Sequence, residues 1–490
     1  MGEEQGTLFS PDFNRSIQVE ARADRLSSDA GVLLMRELMD RLGYPGLLVK
    51  HLRDPRERHR VTHPFVELVR TAILLLVQGF EDHADATPQR DDPLFRLAVS
   101  ERRGERPLRE GGRCEPEGLC SQATLSRLTA ALAAEGNRDG LERAMFEASL
   151  YRMGLSSSRK LAETTVDLDS LPAEVFGSQP GSAWNGHYRA CCYHPLVARS
   201  DSGDFLGAIL REGNVHTADG GCAFVLPILR ALARFADRVW LRIDAGFPEP
   251  KLLAALETES FRYVARLKTN AALERLAAPL LAQPAEGAPR EGRIRTHELT
   301  YRAGSWDRDR RVVLVAIERT DDQMQLFLDH FFLLTNVGAE EMAGPELLEH
   351  YRKRGTAEKD FGDWNQALTL SLSSSPRPKS HYRGKAVREA YETTDCFGAN
   401  EARLLLSLIA ANLMHAAAAI LDGEVTARMG RERFRQLILR SAGRVLLHGR
   451  RIRVVIEEAR APLWVRFLRN LEELHPSRGS PGLAAPPIPA

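Results

Sequence analysis

With 490 residues, 43% of them hydrophobic and 27% charged, the chain has an ordinary globular composition and length for two to four domains. A formal net charge of +1 excludes a globally basic nucleic-acid binder, so any DNA contact must come from local patches. Six cysteines without a CxxC pair argue against a disulfide framework or a cysteine-based zinc site.

The acidic start MGEEQGTLFSPDF has no apolar h-region, so no signal peptide is expected. Residues 1 to about 25 read as extended or loop-like. Ser27, Ser28 and Asp29 are N-cap types before an amphipathic helix, AGVLLMRELMDRLGY. His63 to Phe80 reads as a long core helix. Asp82, Asp85, Asp91 and Asp92 follow, and a polar helix end and turn explains them better than a metal site. An Arg- and Gly-rich loop (Glu101 to Arg113) and a capped helix from Leu119 complete an all-helical N-terminal region, 1–155.

From Thr164 the period changes to two. Val166 and Leu168 fall on one side of a strand, Asp167 and Asp169 on the other. Two further strands, a helix, the buried strand RVWLRIDAGF ending at Asp244, another helix and the strand FRYVARLK follow. That order, with acids at two strand ends, predicts an α/β (α+β) fold: an RNase H-like mixed sheet flanked by helices. Its first part covers 160–270, a β-rich insertion 271–340, and its second part 341–399. A helical C-terminal region with basic faces (400–475) and a Gly/Pro/Ala-rich tail (476–490) end the chain. The apolar run Leu404 to Leu421 contains Asn412 and His415, which marks a buried helix rather than a membrane span. A cytoplasmic protein is expected.

The stretch YRKRGTAEKDFGDWN places Tyr351, Arg354 and Glu358 at i, i+3 and i+7, one face of a helix. A phenol, a guanidinium and a carboxylate on one stripe suit a phosphodiester beside a metal. Cleavage with two Mg²⁺ ions needs carboxylates converging from separate elements. Asp169, Asp244 and Glu358 stand at the three kinds of place an RNase H-like core offers.

The chain resembles bacterial insertion-sequence transposases of the DDE class, in the cut-and-paste group with a Tyr-Arg-Glu-Lys signature. VDLDSLPAEVFGSQPGSAWNGHY, LRIDAGFPEPKLLAALE and YRKRGTAEKDF are similar to its three catalytic blocks, in that order. The resemblance implies Asp169, Asp244 and Glu358 as ligands of two Mg²⁺ ions, for which Mn²⁺ can substitute. It implies Tyr351 and Arg354 as contacts to transposon-end phosphates. Asp167 is the rival first acid; Asp169 is preferred because a short polar residue follows it at the strand end. The implied reaction cleaves double-stranded DNA at terminal inverted repeats, passes through a hairpin and joins the end to target DNA. A homodimer on paired ends and a nucleoid-associated bacterial location are also implied.

Three departures stand out. Asn365 occupies the place of the signature lysine, and Lys359 points elsewhere. Leucine follows Asp169-Ser170 where threonine is usual, and the loop at 373–388 is long. Trp306 either stacks on a flipped base during hairpin formation or packs in the insertion's core. Trp184 and His187 either line the site or serve ordinary packing. The alternative functions are an RNase H-like nuclease without strand transfer, or a decayed or domesticated DNA-binding derivative.

Overall fold

The computed structural model describes residues 7–109, 118–155, 159–175, 177, 179–283, 291–320, 326–356, 358, 362, 364, 372–374, 395–421, 431–448 and 451–475. The two-residue alternation after Arg159 builds strand β1 (Leu161–Ser170). Then come β2 (Leu196–Ser200), β3 (Phe205–Ile209), β4 (Ala236–Ile243), β5 (Arg262–Leu267), β6 (Ile294–Tyr301), β7 (Arg310–Thr320) and β8 (Leu326–Thr335). One eight-stranded sheet holds them in the order β6-β7-β8-β5-β4-β1-β2-β3. β1, β2 and β3 form an antiparallel meander. β4 runs parallel to β1, and β5 parallel to β4. The fold is therefore α+β and RNase H-like, as expected.

Parallel neighbours need crossovers. Helix α1 (Gly221–Leu232) supplies the one into β4 and α2 (Pro250–Thr258) the one into β5. Both lie on the face carrying Val166, Leu168, Leu241 and Ile243, with which they share a core. The opposite face, with Trp240, Val264, Val313 and Leu333, is covered by Leu347 and Leu348 of helix α3 (Gly344–Arg352). The β-rich segment is not a separate layer. β8 pairs antiparallel with β5 and widens the same sheet.

The N-terminal helices pack with the 26-residue helix Cys396–Leu421 in one apolar core. That helix is long and apolar enough to cross a bilayer, yet 83% of its most apolar window is buried inside the protein. Asn412 explains its polar interruption. Its side chain accepts from the Phe205 amide at 2.8 Å and donates to the Phe205 carbonyl at 2.9 Å, completing the edge of β3 as a neighbouring strand would. Asn412→Ala is expected to cost about 2–4 kcal/mol in urea melts, because both buried backbone groups lose their partners.

Asp82 and Asp92 are caps, as a polar turn predicts. Asp82 accepts from the Ala84 amide, and Asp92 from those of Leu94 and Phe95. The C-terminal region departs from the expected helices. Gly443–His448 and Arg451–Ile456 form an antiparallel hairpin to which Arg25–Ser27 adds a third strand. Reading the arginines as helix faces missed the period-two alternation in RVLLHGRRIRVVI.

Candidate active site

Strand register brings the first two acids together. Arg242 lies beside Asp167 and Ile243 beside Leu168 in the parallel β1–β4 pair. Asp169 follows Leu168 and Asp244 follows Ile243, so both acids stand at the carboxyl ends of neighbouring strands, near enough for the Asp244 charge to act on Asp169. Each is fixed by a local amide. The Ser170 N–H donates to Asp169 Oδ1 at 2.9 Å, and the Gly246 N–H to Asp244 Oδ1 at 2.8 Å. Glycine at 246 is a packing requirement: a Cβ there would lie 2.8 Å from Thr217 Cγ2 and 3.1 Å from Asp244 Oδ1.

The third acid arrives from the helical residues that follow α3. Arg354 donates to Asp169 Oδ2 at 2.7 Å and, through its other terminal nitrogen, to Glu358. One buried guanidinium thus links the first and third acids. Burial works against its charge, but Asp169, Tyr351, Glu358 and Asp244 together raise its pKa. Tyr351 is half-buried against the Trp240–Leu347 core. Burial pushes its phenol up, so it remains a proton donor.

Burial pushes Asp169 up to about 6, against the pull of Arg354 and with help from Asp244 and Glu358. The folded chain holds this proton more tightly than the unfolded chain, whose aspartate titrates near ~4. Stability from this group is therefore present below about pH 4 and lost as pH rises through about 6. Asp169→Asn should gain stability relative to wild type across that window. Urea melts at pH 4, 5, 6 and 7 would show it, and a constant difference would refute the assignment.

Asp167, the rival first acid, is paired with a buried arginine. It is 1% exposed and receives two hydrogen bonds from Arg242, at 2.5 and 2.8 Å. Arg242 also donates to the His350 carbonyl at 2.7 Å, tying α3 to the sheet. Trp306 does not join the acids. It is 6% exposed, edge-on to Tyr301 and under the Arg310 guanidinium, within the core that holds Leu314 and Phe332. A ring so covered cannot stack on a base. Lys359 and Asn365 lie outside the described residues.

Tyr188 is the neighbour that sequence reasoning missed. In WNGHY, Trp184 and His187 are exposed. The Asn185 side chain instead accepts from the amides of His187 and Tyr188, and this turn brings the Tyr188 ring edge-on to His194. Burial, ahead of neighbouring Asp169, pushes the Tyr188 phenol up. The available signal was the Asn-Gly turn, which fixes which ring faces inward. A second feature was also unread. Among the described residues, only His216, Asp219 and Glu249 bring three metal-type donors within 4.8 Å of one another. Thr217, between the first two, is the residue packed on Gly246.

The sheet order, with carboxylates at the ends of two neighbouring strands and a third joined to the first through Arg354, defines an RNase H-like protein with an acidic centre. The comparison with known families is more specific. The chain belongs to the family Transposase DDE domain group 1, which matches residues 9–477. It is a transposase-family protein over nearly its whole length. No curated protein matches it.

Proposed function

We propose that this chain is a cut-and-paste DNA transposase of the Tyr-Arg-Glu-Lys group, cleaving transposon ends and joining them to target DNA. The observation that carries this reading is that Asp169 and Asp244 stand at the ends of two neighbouring parallel strands, with Glu358 linked to Asp169 through Arg354. The donor set fits a hard divalent cation. All three groups are carboxylates, and burial, with Asp244 and Glu358 adding to it, keeps Asp169 raised although Arg354 is bonded to it. Asp169, Asp244 and Glu358 would hold two Mg²⁺ ions, or Mn²⁺, which would stabilise the attacking and leaving oxygens of an in-line displacement.

The chain's own groups do the positioning. The Gly246 and Ser170 amides fix the acids' orientations. Arg354 sets a positive charge between two of them, and Tyr351, three residues earlier, offers a phenolic donor to a DNA phosphate. Each step makes one P–O bond and breaks one. Water attacks and the 3′-oxygen leaves with a proton. The freed 3′-hydroxyl then attacks the opposite strand to give a hairpin, a second water reopens it, and the 3′-hydroxyl attacks target DNA. The active form is a homodimer on two paired ends in the bacterial cytoplasm, at the nucleoid.

The deciding experiment incubates the protein and Mg²⁺ with duplex DNA carrying the inverted repeats that flank its gene, and resolves the products on denaturing gels. Nicked, hairpin and joined products are expected. Cutting without joining would favour a nuclease, and binding without cutting a DNA-binding derivative.

A further inference from the structure

The C-terminal hairpin has an outer face that the acidic centre does not use. Directly opposed residues in an antiparallel pair share a face. The register sets Arg444 against Val455, Leu446 against Arg453, and His448 against Arg451, with Leu26 beside Arg444. Arg444, His448, Arg451, Arg453 and Val455 are exposed, and Leu26 is 62% exposed. The alternate residues point inward: Val445 is buried, and Leu447, Ile452 and Val454 pack against the helical core. The outer face therefore carries three arginines, one histidine and no carboxylate. Arg444 pairs with Asp24 at its rim. Arg451 and Arg453 form no ion pair among the described residues.

We infer that this sheet face binds the sugar–phosphate backbone of duplex DNA, as a second DNA contact outside the acidic centre. The inference rests on the transposase reading. The face offers charge complementarity on a fixed scaffold. The two-residue repeat of a strand is about 6.8 Å, which equals two base steps of about 3.4 Å along DNA. Arginines two apart on one strand therefore match the spacing of a polyanion. Their guanidiniums suit phosphate oxygens, and the exposed Val455 and Leu26 can lie against sugars. A backbone contact predicts affinity without sequence preference.

The test uses the full chain in EDTA and a random-sequence duplex, with binding read by fluorescence anisotropy across a salt series. In R444A/R451A/R453A the slope of log K against log salt should become shallower by about 2–3, since each phosphate contact contributes ~0.9. R451A/R453A should lose about 2, and the triple lysine variant should restore most of the slope. The three arginines are exposed on this face, and thermal melts check that the fold survives. An unchanged slope in both alanine variants overturns the inference. So does a change confined to sedimentation mass, which would make the face a contact between two copies. If wild type binds no duplex at all, the transposase reading falls as well. If wild type binds and cuts while the slope stays unchanged, only this inference falls.

Discussion

Alanine at Asp169, Asp244 or Glu358 is expected to lower cleavage of end-bearing duplex by about 10³-fold or more, with binding in EDTA as tight as wild type or tighter. A carboxylate that holds a catalytic cation supports several kcal/mol of transition-state stabilisation, and about 4 kcal/mol corresponds to that factor. Binding should not suffer, because each acid repels the phosphates it acts on. The three variants differ in one respect. Asp169 bonds Arg354, and Arg354 bonds Glu358, so removing either acid frees part of the guanidinium. Asp244 is held by the Gly246 amide instead and gives the cleanest result. Single-turnover cleavage with Mg²⁺ and anisotropy in EDTA measure the two quantities. An Asp244→Ala protein that cuts at the wild-type rate would remove the catalytic assignment altogether.

Much of this site was legible because strand and helix periods constrain it. Val166 and Leu168 alternate with Asp167 and Asp169, so one face of β1 had to be acidic. The offsets from Tyr351 to Glu358 fixed one helical stripe. What the periods could not reveal was pairing between distant residues. Asp167 and Asp169 share a face, and local pattern cannot separate them. Arg242 does, since its side chain reaches Asp167 only once β4 lies beside β1 in this register. Tyr188 was hidden for a similar reason, because the turn built by Asn185 decides which aromatic of WNGHY points inward. Trp306 in a β-rich segment gave no sign of the Tyr301 and Arg310 side chains that cover it. The C-terminal hairpin is hidden for a different reason: its arginines dominate by charge, while the alternating Val, Leu and Ile between them carry the strand signal.

Asp167→Ala should destabilise the fold by about 3–5 kcal/mol, the usual cost of breaking a buried ion pair from one side. Arg242 is 2% exposed and Arg199 3% exposed, with Arg199 Nη1 3.9 Å from Asp167 Oδ2. Removing the carboxylate strips Arg242 of both hydrogen bonds to it and leaves charge that water cannot reach. The loss should extend to activity, because Arg242 also holds the His350 carbonyl and α3 leads to Tyr351, Arg354 and Glu358. Asp167→Leu combined with Arg242→Met should recover part of the stability, since an apolar pair can replace a buried ionic one. Urea melts at pH 7 read the comparison directly. Asp167→Ala should fall well below wild type, while Asp169→Asn should equal or exceed it, because Asp169 is raised by burial and by its acidic neighbours. The opposite ordering, an Asp167→Ala protein as stable as wild type yet unable to cut, would make Asp167 the first catalytic acid and Asp169 its support.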